Sequence, residues 1–135
     1  MTLVIAAEQV KRISSHAKES HPIEACGLLI GTLGGDVRTV SEVWPAKNLL
    51  SSESSYEIDP ETHARAFSYA EENSLEIVGF YHSHTFSSPD ASEIDRAQAN
   101  YPGFSYVIYS VTRDEILSFY FDGKQLSQEQ MVISD

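Results

Sequence analysis

The sequence predicts a mixed α/β fold in which helices flank a mixed β-sheet. Helical and strand periodicities alternate from residue 6 to about residue 100, and strand-like runs then finish the chain. Its 135 residues are the size of one ordinary domain. Helices alternating with strands and ending in a meander are the pattern of a sheet covered by helices.

Residues 6–20, AAEQVKRISSHAKES, place Val10, Ile13 and Ala17 at helical spacing. His21-Pro22 ends that helix, because the residue before proline avoids the helical region. Ala25 to Leu33 is apolar on both faces, as in a buried strand, and closes at the Gly34-Gly35 turn. Residues 37–44 alternate and form the second arm of a hairpin, with Trp44 packing at its end. Lys47 to Ser55 is polar and serine-rich, hence a loop. Asp59-Pro60 opens a helix, aspartate at the cap and proline at the first helical position, running to about Asn73. Residues 75–84, LEIVGFYHSH, read as a strand, and a third helix covers 92–100. SYVIYSV and EILSFYFDG supply two more strands, and Met131-Val132-Ile133 a weaker one.

Composition narrows the function. A formal net charge of −11, with nine scattered Lys and Arg, argues against nucleic acid, whose phosphates need clustered cations. No apolar run approaches the ~20 residues that cross a bilayer, and the start MTLVIAAEQVKRI lacks a basic segment ahead of its apolar part. No membrane association and a cytoplasmic location are therefore expected. The single cysteine, Cys26, excludes an internal disulfide and a cysteine-cluster zinc site. Inside ACGLLIG it reads as a small buried residue rather than a nucleophile.

The chemistry starts at Phe80-Tyr81-His82-Ser83-His84. Strand side chains alternate, so His82 and His84 project from one face of a strand end, as two ligands for one ion would. On their own they are equally the solvated end of a strand. A short polar loop follows, then Ser92-Glu93-Ile94-Asp95. A carboxylate there would complete a two-His, one-carboxylate zinc site, the arrangement of hydrolases rather than of structural zinc. Ser92-x-x-Asp95 is also a helix capping box, and the two readings are compatible. Glu24, after Pro22 and Ile23, reads alone as a solvated strand-edge residue. A carboxylate at the mouth of an apolar strand nevertheless needs water or a partner. His16, His21 and His63 read as exposed helix or loop residues.

His82-Ser83-His84, seven residues, Ser92, two residues and Asp95 together resemble the JAMM signature H-[ST]-H-x7-S-x-x-D. The resemblance includes the upstream Glu24 in PIEACGLL, the segment YEIDP at 56–60 and the lead-in VGFY at 78–81, and spans about residues 3–121. Two features depart from many members. Thr85 stands where proline usually follows the second histidine, and the insertions of eukaryotic deubiquitinating members are missing, as in the compact prokaryotic branch.

The resemblance implies a single MPN domain over residues 1–135, with a cytidine-deaminase-like mixed sheet flanked by helices. It further implies one Zn2+ per chain on His82, His84 and Asp95. Glu24 would be the general base and then acid, and Ser92 the donor to the oxyanion. The implied substrate is the C-terminal tail of a ubiquitin-like or sulfur-carrier protein, cleaved from an amine or a small adduct. The competing expectation is a metal-free MPN scaffold that only binds partners, although such domains lose ligands that this chain keeps. An extended tail would add a strand to a sheet edge beside the zinc, walled by residues 47–57 and 85–91. The oligomeric state is open.

Overall fold

The computed structural model describes residues 1–135. Along the chain these form β1 (Thr2–Ala6), α1 (Ala7–Ser20), β2 (Cys26–Gly34), β3 (Val37–Ala46), α2 (Pro60–Glu72), β4 (Glu76–His84), α3 (Glu93–Gln98), β5 (Ser105–Ser110), β6 (Glu115–Phe121), β7 (Leu126–Gln128) and β8 (Gln130–Ser134). All eight strands join one sheet in the order β7-β6-β5-β4-β2-β3-β1-β8. The sheet is mixed: β4 is parallel to β5, and β1 is parallel to both β3 and β8, while the remaining pairs are antiparallel. The expected mixed α/β architecture is therefore observed.

The apolar runs of β2, β4 and β5 are explained by burial on both faces. Leu29, Val78 and Val107 point to one side, where Ile13 and Ala17 of α1 pack with Leu3, Ile5 and Val40. Leu28, Ile30, Phe80 and Ile108 point to the other, against Ala66 and Ala70 of α2. At Gly79 a Cβ would lie 2.2 Å from the Ser105 carbonyl oxygen, so glycine is what lets β5 close on β4. Trp44 packs as expected, half-buried against Tyr69 with ring centroids 5.2 Å apart. No helix is long and apolar enough to cross a membrane.

Two strands depart from the sequence reading. β1 was not expected, since a short apolar run before a helix carries little periodicity, and β7 has only three residues. Together with β8 they shape the sheet. β7 and β8 occupy opposite edges yet only Glu129 separates them, so the sheet curls until its edges approach. Glu129 is buried at that junction and accepts hydrogen bonds from the hydroxyls of Ser105 (2.6 Å) and Ser118 (2.7 Å). Arg38 of β3 reaches the same place, its guanidinium nitrogen 3.7 Å from the carboxylate, with side chains 3% and 1% exposed for Arg38 and Glu129. Arg38 also donates to the Gly103 carbonyl at 2.8 Å and lies 4.6 Å from the Tyr120 ring centroid.

A buried ion pair is costly to break, because one charge is left without a partner. Glu129→Ala should lower unfolding stability by about 3–5 kcal/mol, read from urea denaturation. Replacing both partners, in Arg38→Met/Glu129→Leu, should recover most of that loss.

Candidate metal centre

β4 delivers the two histidines. Phe80, His82 and His84 alternate onto the α2 face of the strand, and both histidines are buried at its carboxyl end. Beyond them the chain turns through residues 85–91 and starts α3, with Ser92 as N-cap. The expected capping box is present: Ser92 Oγ accepts from the Asp95 amide at 3.1 Å, and Asp95 Oδ2 accepts from the Ser92 amide at 2.9 Å. That cap turns the Asp95 carboxylate back toward the strand end. Its two oxygens lie 2.9 Å from His82 Nε2 and 2.9 Å from His84 Nε2. One ligand atom from each of His82, His84 and Asp95 can be chosen so that all lie within 4.8 Å of one another.

His84 is oriented from behind by the Ser88 carbonyl, 2.7 Å from Nδ1, which assigns a proton to that nitrogen and turns Nε2 toward Asp95, where it could ligate a metal. His82 is held differently. The Tyr56 ring stacks on it with centroids 4.4 Å apart. Although Nε2 is close to Asp95, the ring is not aligned to donate along that line, and both its buried nitrogens lack a hydrogen-bond partner. An unsatisfied buried imidazole beside a carboxylate and a second imidazole is the donor set of a divalent cation. The residues therefore fit zinc.

Glu24 precedes β2. The antiparallel pairing sets Cys26 opposite His82, and Ser83 donates to the Ala25 carbonyl (3.0 Å) while accepting from the Ala25 amide (2.8 Å). Continuing that register places Glu24 beside His84. It is buried, not solvated, and its backbone is fixed on both sides by the loop 47–57. The Glu24 amide donates to Ser52 (2.8 Å), and Asn48 Nδ2 donates to the Glu24 carbonyl (3.1 Å). Asn48 also organises the loop, donating to Ser55 and accepting from the amides of Leu50 and Glu57.

The charges respond to burial and to one another. Burial pushes the Glu24 carboxyl up to about 8, with His84 pulling it down and Asp95 adding to the rise. Burial also acts to raise Asp95, but the two imidazoles and the Ser92 amide outweigh it and hold that carboxyl well below its ordinary range. For His84 burial favours the neutral form, and the Asp95 carboxylate, with the Ser88 carbonyl, reverses the balance upward. Cys26 is buried and its thiol pushed up to about 12, mainly by burial, which makes it inert as expected.

Every residue singled out in the sequence for chemistry thus lies in or beside this centre. Two further residues were missed: Asn48, one polar residue in a polar stretch, and Tyr56, whose stacking on His82 has no local signal. The other histidines stand apart. His21 is exposed, but His16 is half-buried with Nδ1 2.8 Å from the Tyr81 hydroxyl, and His63 packs edge-on against Phe80.

Residues 6–122 match the family of prokaryotic homologs of the JAB domain. Among curated relatives, a desampylase from Haloferax volcanii is 39% identical over 113 residues, covering 80% of each chain. A CysO-cysteine peptidase from Mycobacterium tuberculosis is 36% identical over 112 residues, 83% of this chain and 75% of that one. The solution structure of a protein from Desulfitobacterium hafniense superposes with a TM-score of 0.86 at 30% identity, covering 100% of this chain and 94% of the other. A Salinibacter ruber protein superposes with a TM-score of 0.74, also at 30% identity, covering 100% and 92%. With the JAMM signature residues gathered at one strand end and the family matched over most of its length, the chain belongs to the prokaryotic JAB branch of the JAMM family.

Proposed function

We propose that this protein is a zinc-dependent metallo-isopeptidase that hydrolyses the amide bond at the C-terminus of a ubiquitin-like or sulfur-carrier protein. The observation that carries the reading is the convergence of His82, His84 and Asp95 beside the buried carboxyl of Glu24. The relatives named desampylase and CysO-cysteine peptidase support a protein tail joined to an amine or to a single amino acid as the substrate.

One zinc per chain, held by the two imidazoles and Asp95, would polarise the scissile carbonyl and lower the pKa of a bound water to roughly 7. Glu24 takes a proton from the attacking water and later delivers it to the departing amine, and its backbone hydrogen bonds hold it in place for both transfers. Ser92 Oγ uses a lone pair on the Asp95 amide, so its hydroxyl proton is free to be donated to the developing oxyanion. His84 and Asp95 are kept in orientation by Ser88 and by the Ser92 amide.

Zinc that binds the folded chain alone should raise its thermal midpoint, and His84→Ala or Asp95→Ala should remove both the shift and the bound metal. Glu24→Gln should retain about one zinc per chain while cleavage of a carrier–amine conjugate falls ~10²–10⁴-fold. Ser92→Ala should cost ~10²–10³-fold in kcat and about 1 kcal/mol of stability through the lost cap. Failure of the wild type to take up zinc after reconstitution would sink the reading and leave a JAB interaction module.

A further inference from the structure

Next to the metal centre lies a second feature that the proposed hydrolysis does not use. A cavity of about 520 Å³ opens between the loop 47–57, the start of α2 and the segment after α3. Its floor is Phe80 and Tyr106, both buried, and its rim carries Leu50 and Tyr101, which are 46% and 39% exposed. Tyr56 forms the wall toward the metal: one ring borders the cavity and stacks on His82. An aromatic floor and an exposed apolar rim suit an apolar group, and Glu57, His63, Gln98 and Asn100 complete the lining.

Its position says which group. Phe80 is two residues before His82 on the same face of β4, so the cavity floor is about 7 Å from the metal ligand along the strand. Side chains on one side of an extended substrate chain recur at the same interval, about 7 Å. A leaving amine reaches the metal as one side chain or one amino acid, with no extended chain to span that gap. The acyl side does have one.

We propose that this cavity is a specificity pocket for a branched aliphatic or aromatic side chain of the substrate tail, two residues before the residue whose carbonyl is cleaved. The assignment rests on the metallo-isopeptidase reading for the position of that carbonyl. Leu50 and Tyr101 close over the side chain, Phe80 and Tyr106 support it, and Tyr56 separates it from the reaction centre.

The test measures binding apart from cleavage. Zinc-loaded Glu24→Gln protein is titrated calorimetrically with peptides Ser-Gly-Ser-Ser-X-Gly-Gly, X being Ala, Leu or Phe, with glycines as featureless residues nearest the metal. Leu or Phe should bind at least ~10-fold more tightly than Ala, the scale on which an apolar pocket discriminates. Tyr101→Ala and, separately, Leu50→Ser in the same background should bring that ratio below ~3-fold while zinc content and circular dichroism stay unchanged. Affinity independent of X, whether measurable or undetectable, overturns the pocket, as does a preference that survives both substitutions. Cleavage of the corresponding conjugates by the wild type judges the isopeptidase reading separately.

Discussion

β2 pairs antiparallel with β4 so that Cys26 faces His82 and Gly27 faces Tyr81, and the candidate metal centre depends on that register. Opposed residues of an antiparallel pair project to the same side, so this pairing sends Glu24, His82 and His84 to one face. A slip of one residue would turn them into the layer occupied by α1. The register is held at both ends of the contact. Ala25 and Ser83 exchange hydrogen bonds through the Ser83 hydroxyl and amide. At Gly27 a Cβ would lie 2.4 Å from the Tyr81 ring and from the Trp44 carbonyl oxygen, so the ring can cross only a glycine. Strand geometry thus sets Glu24, His82 and His84 on one face, and the capped start of α3 adds Asp95.

The electrostatics explain why such a cluster persists in a chain of net charge −11. Buried Glu24 and half-buried Asp95 lie near two imidazoles, and no lysine or arginine pairs with either carboxyl. Without a cation their pKa values separate: Glu24 is driven toward its neutral form mainly by burial, and Asp95 is kept charged by the imidazoles. A divalent cation held by this cluster would reverse the balance at Glu24, because the largest local charge would then favour its ionised form. Binding of such a cation would therefore be coupled to proton release.

The sequence made the centre legible because its signals are local. A period-two pair of histidines, a capping box and a carboxylate before an apolar run each span a few residues, and the resemblance to the JAMM signature joined them, since the histidine pair and Glu24 alone read as solvated strand ends. What stayed hidden depends on distant parts of the chain. Arg38 is a lone cation in the alternating run of β3, with no local signal of burial. It is buried because the curl of the sheet brings Glu129, 91 positions later, against it. β1 joins β3 and β8 in parallel, a pairing with no turn to announce it. Asn48 and Tyr56 act through contacts with Glu24 and His82 that only the folded loop creates.

The loops then refine what the strands set, and the departure from the family pattern at Thr85 belongs to this layer. A proline after the second histidine would stiffen the turn by its ring alone. Thr85 is buried and its hydroxyl donates to the Glu53 carbonyl at 2.9 Å, joining the loop 85–91 to the loop 47–57. Ser110 ties the same turn to β5 through the Ser87 carbonyl at 2.7 Å, and the Ser88 carbonyl then orients His84. The hydroxyl therefore replaces rigidity within one loop by a bond between two. The loop that positions Ser92 and Asp95 is thereby tied to the loop that clamps Glu24, so Glu24 and the candidate metal-binding residues are held as one unit.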